Sequence, residues 1–317
     1  MYQHTAVADG ARRIGALMIG AAAAATLAIS APAPANAADG CVAFGALNMH
    51  TGSASCSSTG LLGLAVAFGP GATATSAGIF GLAFAIGAGS TATGGNTPND
   101  VFNTAVAIGD GSVADAEHGV GNIATASGGS QSYAYFGNFN IAMGRGPSNK
   151  VNAYNGNFNI AMAMGRNNYA TAGSEQGIGN FNVATALGEQ NTASAINGDF
   201  NRATAVGRNN GAFAGTGNRN RVMVFGKNNN SVATFGDGNQ TVVLGEGNVA
   251  NAGGGNRNRA IVFGGDNTVR VGDPTNPTGT SDHNSATVLG KSNTVTAGPG
   301  SRNHIRISGS GITASKP

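Results

Sequence analysis

Apolar residues recur along this chain with two superimposed periods. The short period is two. Ahead of a series of glycines, small and bulky apolar residues alternate, as in Thr204-Ala205-Val206-Gly207 and Met223-Val224-Phe225-Gly226. Side chains two apart on a strand share a face, so this pattern predicts strands that are apolar on both sides, which are normally covered on both. The long period is nineteen residues, clearest at Gly188, Gly207, Gly226, Gly245 and Gly264. Two asparagine columns keep it: Asn182, Asn201, Asn220, Asn239 and Asn258, then Asn191, Asn210, Asn229, Asn248 and Asn267. A unit this short cannot bury its own apolar side, so copies must stack. The prediction is an all-β protein, a repetitive β-solenoid or β-roll of about thirteen coils of roughly 19 residues with two principal strands per coil. At ~4.8 Å per coil the rod is roughly 60 Å long.

The bulky set (Leu187, Val206, Phe225, Leu244) is expected to fill the roll. It would meet small residues of the second strand, which reads Ala193/Ala195, Ala212/Ala214 and Ala250/Ala252 with variable residues between them. The alternate set (Ala186, Ala205, Val224, Val243) then forms an apolar Ala/Val stripe outside, suited to self-association. A wider coil would instead bury that stripe within one chain. The repeat is traced back through Gly165, Gly144 and Gly69 to Gly45. Glycines supply turn conformations with φ above zero, and the asparagine amides are expected to bond the turn backbone or their copies in the next coil. Phe139, Phe158 and Phe181 are expected to stack along one edge.

The ends read differently. Arg12 and Arg13 precede an apolar run over residues 14–29, and Ala35-Asn36-Ala37 has the small-x-small form of a cleavage site. Residues 1–37 are therefore expected to be a signal peptide; a short membrane anchor is the alternative, but spanning takes roughly 20 apolar residues. The single solenoid domain covers 38–309 and a C-terminal tail 310–317, in a protein that is secreted or cell-envelope associated. Export favours a disulfide between Cys41 and Cys56, the only cysteines. The loop it closes is worth roughly 3 kcal/mol in chain entropy.

Glycine supplies 53 of 317 residues, without the three-residue period of collagen. Beyond the leader, every Lys and Arg lies from Arg145 onward. Arg202, Arg208, Arg219, Arg221, Lys227, Arg257 and Arg259 recur in phase and form a possible binding edge for an anionic glycan, matrix or envelope surface. The plainer account is solvated charge that discourages wrong stacking. No aromatic-interleaved basic groove supports specific nucleic-acid binding. His50, His118, His283 and His304 are scattered, and although His118 lies near Asp115 and Glu117, and His283 beside Asp282, no acid, base and nucleophile converge. Gly226-Lys227 and Gly290-Lys291 lack the spacing of a phosphate loop. No catalytic, cofactor-binding or metal-ligating residue is nominated, no cofactor is implied, and an enzyme is not expected.

The units Thr104-Ala105-Val106-Ala107-Ile108-Gly109 and Ala203-Thr204-Ala205-Val206-Gly207 resemble the head repeats of trimeric autotransporter adhesins, over roughly residues 41–309. The resemblance is partial: the period here is longer, and neither a heptad stalk nor a membrane-anchoring strand set is apparent. It implies a left-handed β-roll, packing as trimers, and adhesion to host matrix or other cells. The function expected is an exported, non-enzymatic structural or adhesin-like surface protein. The runner-up is an ice-binding or other regular-surface binding protein, and behind it a carbohydrate-processing β-helix.

Overall fold

The computed structural model describes residues 39–174, 179–273 and 281–317, and in them the chain is a β-solenoid of about thirteen turns. Residues 1–37, where a signal peptide is expected, lie outside the described residues. Strands alternate between a 15-stranded wide sheet and a 14-stranded narrow sheet. One coil gives the plan. Arg202–Arg208 lies in the wide sheet, a turn at Asn209 and Asn210 leads to Gly211–Gly215 of the narrow sheet, and a second turn over residues 216–220 leads back to Arg221–Lys227. The returning strand pairs in parallel with the one it left, one repeat out of phase, Ala205 beside Val224 and Gly207 beside Gly226.

The N-terminal end departs from this plan. Strand β1 (Gly40–Phe44) pairs antiparallel with β2 (Leu47–Thr51) and with Leu64–Phe68. Gly45 therefore belongs to a hairpin that closes the rod rather than to the first repeat. Cys41 is bonded to Cys56 on β3 (Ser55–Ser58), the first strand of the narrow sheet, with Cα atoms 5.7 Å apart. The bond joins the two sheets at the end of the core, where stacking is one-sided. At the other end, residues expected to be a tail hold the strand Thr313–Lys316, which pairs with Thr294–Ala297.

The expected inside-out assignment is reversed. Ala186, Ala205, Val224 and Val243 are 0 % exposed and form an internal column, while Leu244 of the bulky set is 47 % exposed. The narrow sheet adds Ala193, Ala195, Ala212 and Ala214 to the same core. The Ala/Val columns are thus the interior and cannot be a self-association stripe. The cause lies in the turns. Asn210 and Asn220 are buried, and residues at even steps from them share their face: Ala212 and Ala214 after one, Val222 and Val224 after the other. Turns this short hold the sheets apart by a layer of alanine and valine, close-packed without larger side chains. Gly144 follows the same rule. It pairs with Ala163 in the inward column, not with Gly165, and Ser130 fills the space by donating its hydroxyl to Gly144 O at 2.8 Å.

Both asparagine columns are ladders of buried hydrogen bonds. The Asn220 N–H donates to Oδ1 of Asn201 at 2.9 Å, and its own Oδ1 accepts the Asn239 N–H at 2.9 Å. Its Nδ2 donates to Gly236 O at 2.9 Å, in the next coil. At the other corner Asn210 repeats the arrangement with Asn191 and Gly226 O. Each amide satisfies turn backbone that has no place in either sheet ladder.

In one coil two polar side chains pair with each other across the core. Ser231 Oγ donates to Thr241 Oγ1 at 2.7 Å, both residues fully buried, where the coils on either side place alanine or valine. Thr241→Val orphans the serine hydroxyl and is expected to cost about 1–3 kcal/mol. Ser231→Ala with Thr241→Val removes both partners, so the double variant should be more stable than the Thr241→Val single in chemical denaturation. A double variant losing the sum of both single effects would contradict the pairing.

Candidate binding surfaces

With the core filled by small residues, the bulky columns face outward from the wide sheet. One runs Phe68, Ile86, Ile108 and, further along, Met164, Leu187, Val206, Phe225, Leu244 and Phe263 in register. A second, two residues back, includes Val66, Phe84, Val106, Met143, Met162, Met223, Val242 and Ile261. Thr125 and Ser127 interrupt them and leave an apolar depression of about 340 Å³ between Ile108 and Met143. A third column changes character midway. It reads Ile123, Ile141, Ile160, Val183, then Arg202, Arg221, Gln240 and Arg259. The wide face is therefore mostly apolar in its N-terminal half, where Thr104, Thr125, Ser127 and Arg145 break the columns, and apolar with Thr185, Thr204 and one basic border thereafter.

The seven basic residues nominated from sequence do not form one edge. Arg202, Arg221 and Arg259 share the column just described. Arg219 and Arg257 stand beside them on the adjacent corner, the Arg219 N–H donating to Asp199 O and the Arg257 N–H to Asp237 O. Arg208 and Lys227 lie at the opposite end of their strands, a strand's width away, and face Glu189 at 3.5 Å and Glu246 at 2.9 Å. Five of the seven thus share one border, and the two on the other border are ion-paired. Among the described residues none of the five is in an ion pair.

The corner carrying Arg219 has a second character further back. Phe139, Phe158, Phe181 and Phe200 stack as expected, ring centroids 5.2, 5.0 and 5.0 Å apart. Each of these phenylalanines has φ between 56° and 60°, in the left-handed region. That conformation costs roughly 1–2 kcal/mol, and each stacked pair returns about 0.5–1.5 kcal/mol. A third polar ladder, not recognised in the sequence, flanks the rings. The Asn138 N–H donates to Oδ1 of Asn157, the Asn157 N–H to Oδ1 of Asn180, and the Asn180 N–H to Oδ1 of Asp199. Its signal was the residue before each phenylalanine, which recurs at steps of 19, 23 and 19 residues beside the more conspicuous columns.

On the narrow sheet, Asp115, Glu117, Tyr133 and Tyr135 adjoin in neighbouring strands. Burial pushes the Asp115 carboxyl above its ordinary value, against a hydrogen bond with Thr93. Burial raises Glu117 as well, against the attraction of His118, whose Nδ1 is 3.6 Å away. His283, the other histidine beside an aspartate, has Nε2 3.3 Å from Arg257 Nη1. Among the described residues no three His, Cys, Asp or Glu side chains are arranged to hold a metal ion, and no helix is present that is long and apolar enough to cross a membrane. No family model, no curated protein and no solved structure matches this chain.

Proposed function

We propose that the chain is an exported, non-enzymatic structural protein of the cell surface whose rods associate through the wide face and present adhesin-like borders. The observation that carries this reading is the outward apolar face of the wide sheet, which includes Ile86, Ile108, Met164, Leu244 and Phe263, all more than a third exposed. Its area, with the basic column of the C-terminal half left out, is roughly 30 Å by a five-residue strand plus roughly 30 Å by three residues, about 800 Å². That exceeds the patches of ordinary monomers and matches the roughly 800 Å² each partner buries in a stable complex. A second copy of the chain, equally apolar on this face, is the occupant the area favours. The basic border is left to meet an anionic glycan, matrix or envelope surface.

Sedimentation velocity of residues 38–317 tests the association. The chain is expected to sediment as an oligomer, and Leu244→Glu to release single chains that keep the β-sheet circular dichroism of the wild type, since the side chain is a surface group. A wild-type chain that stays single at high concentration would sink the proposal.

Binding to ice or another regular surface is the second reading, and one observation favours it. Thr73, Thr75, Thr91 and Thr93 form a two-by-two rank on the narrow sheet. The next coil places Val113 and Asp115 there, which ends the rank. Thermal hysteresis is the discriminating measurement.

A further inference from the structure

The basic border alternates from coil to coil. Arg219 and Arg221 share one coil, Arg257 and Arg259 lie two coils on, and Arg302 and His304 two beyond that. The coils between them put Gly238 and Gln240, then His283 and Ser285, in those places. The neighbouring ladder alternates in the opposite sense. Its residues are Asn218, Asp237, Asn256, Asp282 and Ser301, each backbone N–H donating to the next side chain. Cationic coils therefore alternate with coils that offer a carboxylate. Avoidance of like charges does not account for this, because Arg202 stands directly beside Arg221.

The alternation is centred on a cleft. Gly238 carries no side chain between Arg219 and Arg257, and a depression of about 460 Å³ opens there, lined also by Asp237, Asn256, Asp282 and His283. The two arginines are two coil rises apart, ~9.6 Å along the rod. A β-linked pyranose advances its chain by nearly one coil rise, so a disaccharide spans the interval.

We propose that this border binds a linear acidic polysaccharide with one carboxylated sugar per disaccharide, lying along the rod. The carboxylates face the arginine coils, where guanidinium donors pair with them. The uncharged sugars lie over Gly238 and His283. There Asp237, whose Oδ1 accepts the Asn218 N–H at 2.7 Å, has its other oxygen to accept a sugar hydroxyl. A glycan charged at every sugar would set a carboxylate against Asp237 and Asp282. The proposal rests on the reading of the rod as a surface-binding protein and names the partner of its basic border.

The test is calorimetric titration of the folded chain with three probes: a hyaluronan octasaccharide (one carboxylate per disaccharide), an octagalacturonate (one per sugar) and a neutral chitin oligosaccharide. The hyaluronan probe is expected to bind at least tenfold more tightly than the other two. Arg219→Gln with Arg257→Gln should weaken it at least tenfold. Gly238→Phe should do the same by filling the cleft, while keeping the fold, because Phe200 occupies the same column at φ 60° and Gly238 has φ 68°. Asp237→Asn should narrow the preference over the galacturonate. Equal or tighter binding of the galacturonate overturns the alternation and leaves a merely cationic surface. No binding of hyaluronan overturns the proposal, while the oligomer assay independently decides the broader reading.

Discussion

Gly226→Ala is expected to destabilise the rod by at least ~3 kcal/mol, read as a lowered midpoint in chemical denaturation. Gly226 has φ +125°, outside the left-handed basin that asparagine tolerates. A Cβ there would stand 1.9 Å from Gly245 O, an atom of the next coil. The added methyl therefore meets fixed backbone, and the strain can be relieved only by separating two coils whose seven residue pairs are in register. Gly111→Asn is the matched control. Its φ is +65° and nothing lies within 4 Å of its added Cβ, so its effect should stay within ~0.5 kcal/mol. In a stacked fold damage spreads only through nearest neighbours, so the Gly226 variant should lose amide protection first in the two adjoining coils. Equal stability of the two variants would mean that coils are not in contact at the glycine column.

Asn220→Leu, nearly isosteric, carries the second large effect. It leaves the Asn239 N–H and Gly236 O without their partners, in a site that is 0 % exposed. Each orphaned group costs about 1–3 kcal/mol, so the expected loss is about 4 kcal/mol. Asn220→Asp separates the two roles of the amide. The carboxylate can still accept from Asn239 but cannot donate to Gly236 O, so the protonated acid is favoured in the fold and its pKa rises above the unfolded value. Stability of Asn220→Asp should therefore improve as pH falls through that raised pKa. A variant whose deficit does not shrink on acidification would contradict a donor role for the Asn220 amide.

Periodicity made the coil, the two strands, the disulfide and the phenylalanine stack legible from sequence, because each repeats a residue type at fixed spacing or is the only possible pair. The choice of inner face was not legible in the same way. Alternation says that Val206 and Thr204 share a side, but not which side is inside, and side-chain volume pointed the wrong way. The buried asparagines would have settled it. Asn220 must face the next coil's backbone to be satisfied, and Val222 and Val224 follow it in even steps. Gly144 misled because a glycine after an apolar residue marks the corner only when the inward asparagine or serine follows three residues on, as Asn149 follows Gly146; Gly45 has Asn48 at that spacing, but its turn leads into an antiparallel hairpin. The basic residues were visible as a set, but splitting them into two borders required knowing that Arg202 and Arg208 stand at opposite ends of one strand.

The claim on which both surfaces depend is that alanine and valine face inward and the bulky residues outward. Cysteine accessibility tests it most directly. Ala205→Cys and Val206→Cys, each made alone, would be labelled with a charged maleimide in protein diluted until it sediments as single chains. Inward-facing Ala205→Cys should label only at the rate of global opening, and outward-facing Val206→Cys at a rate near that of an exposed thiol. Protection at 206 with rapid labelling at 205 would turn the rod inside out and remove both proposed surfaces.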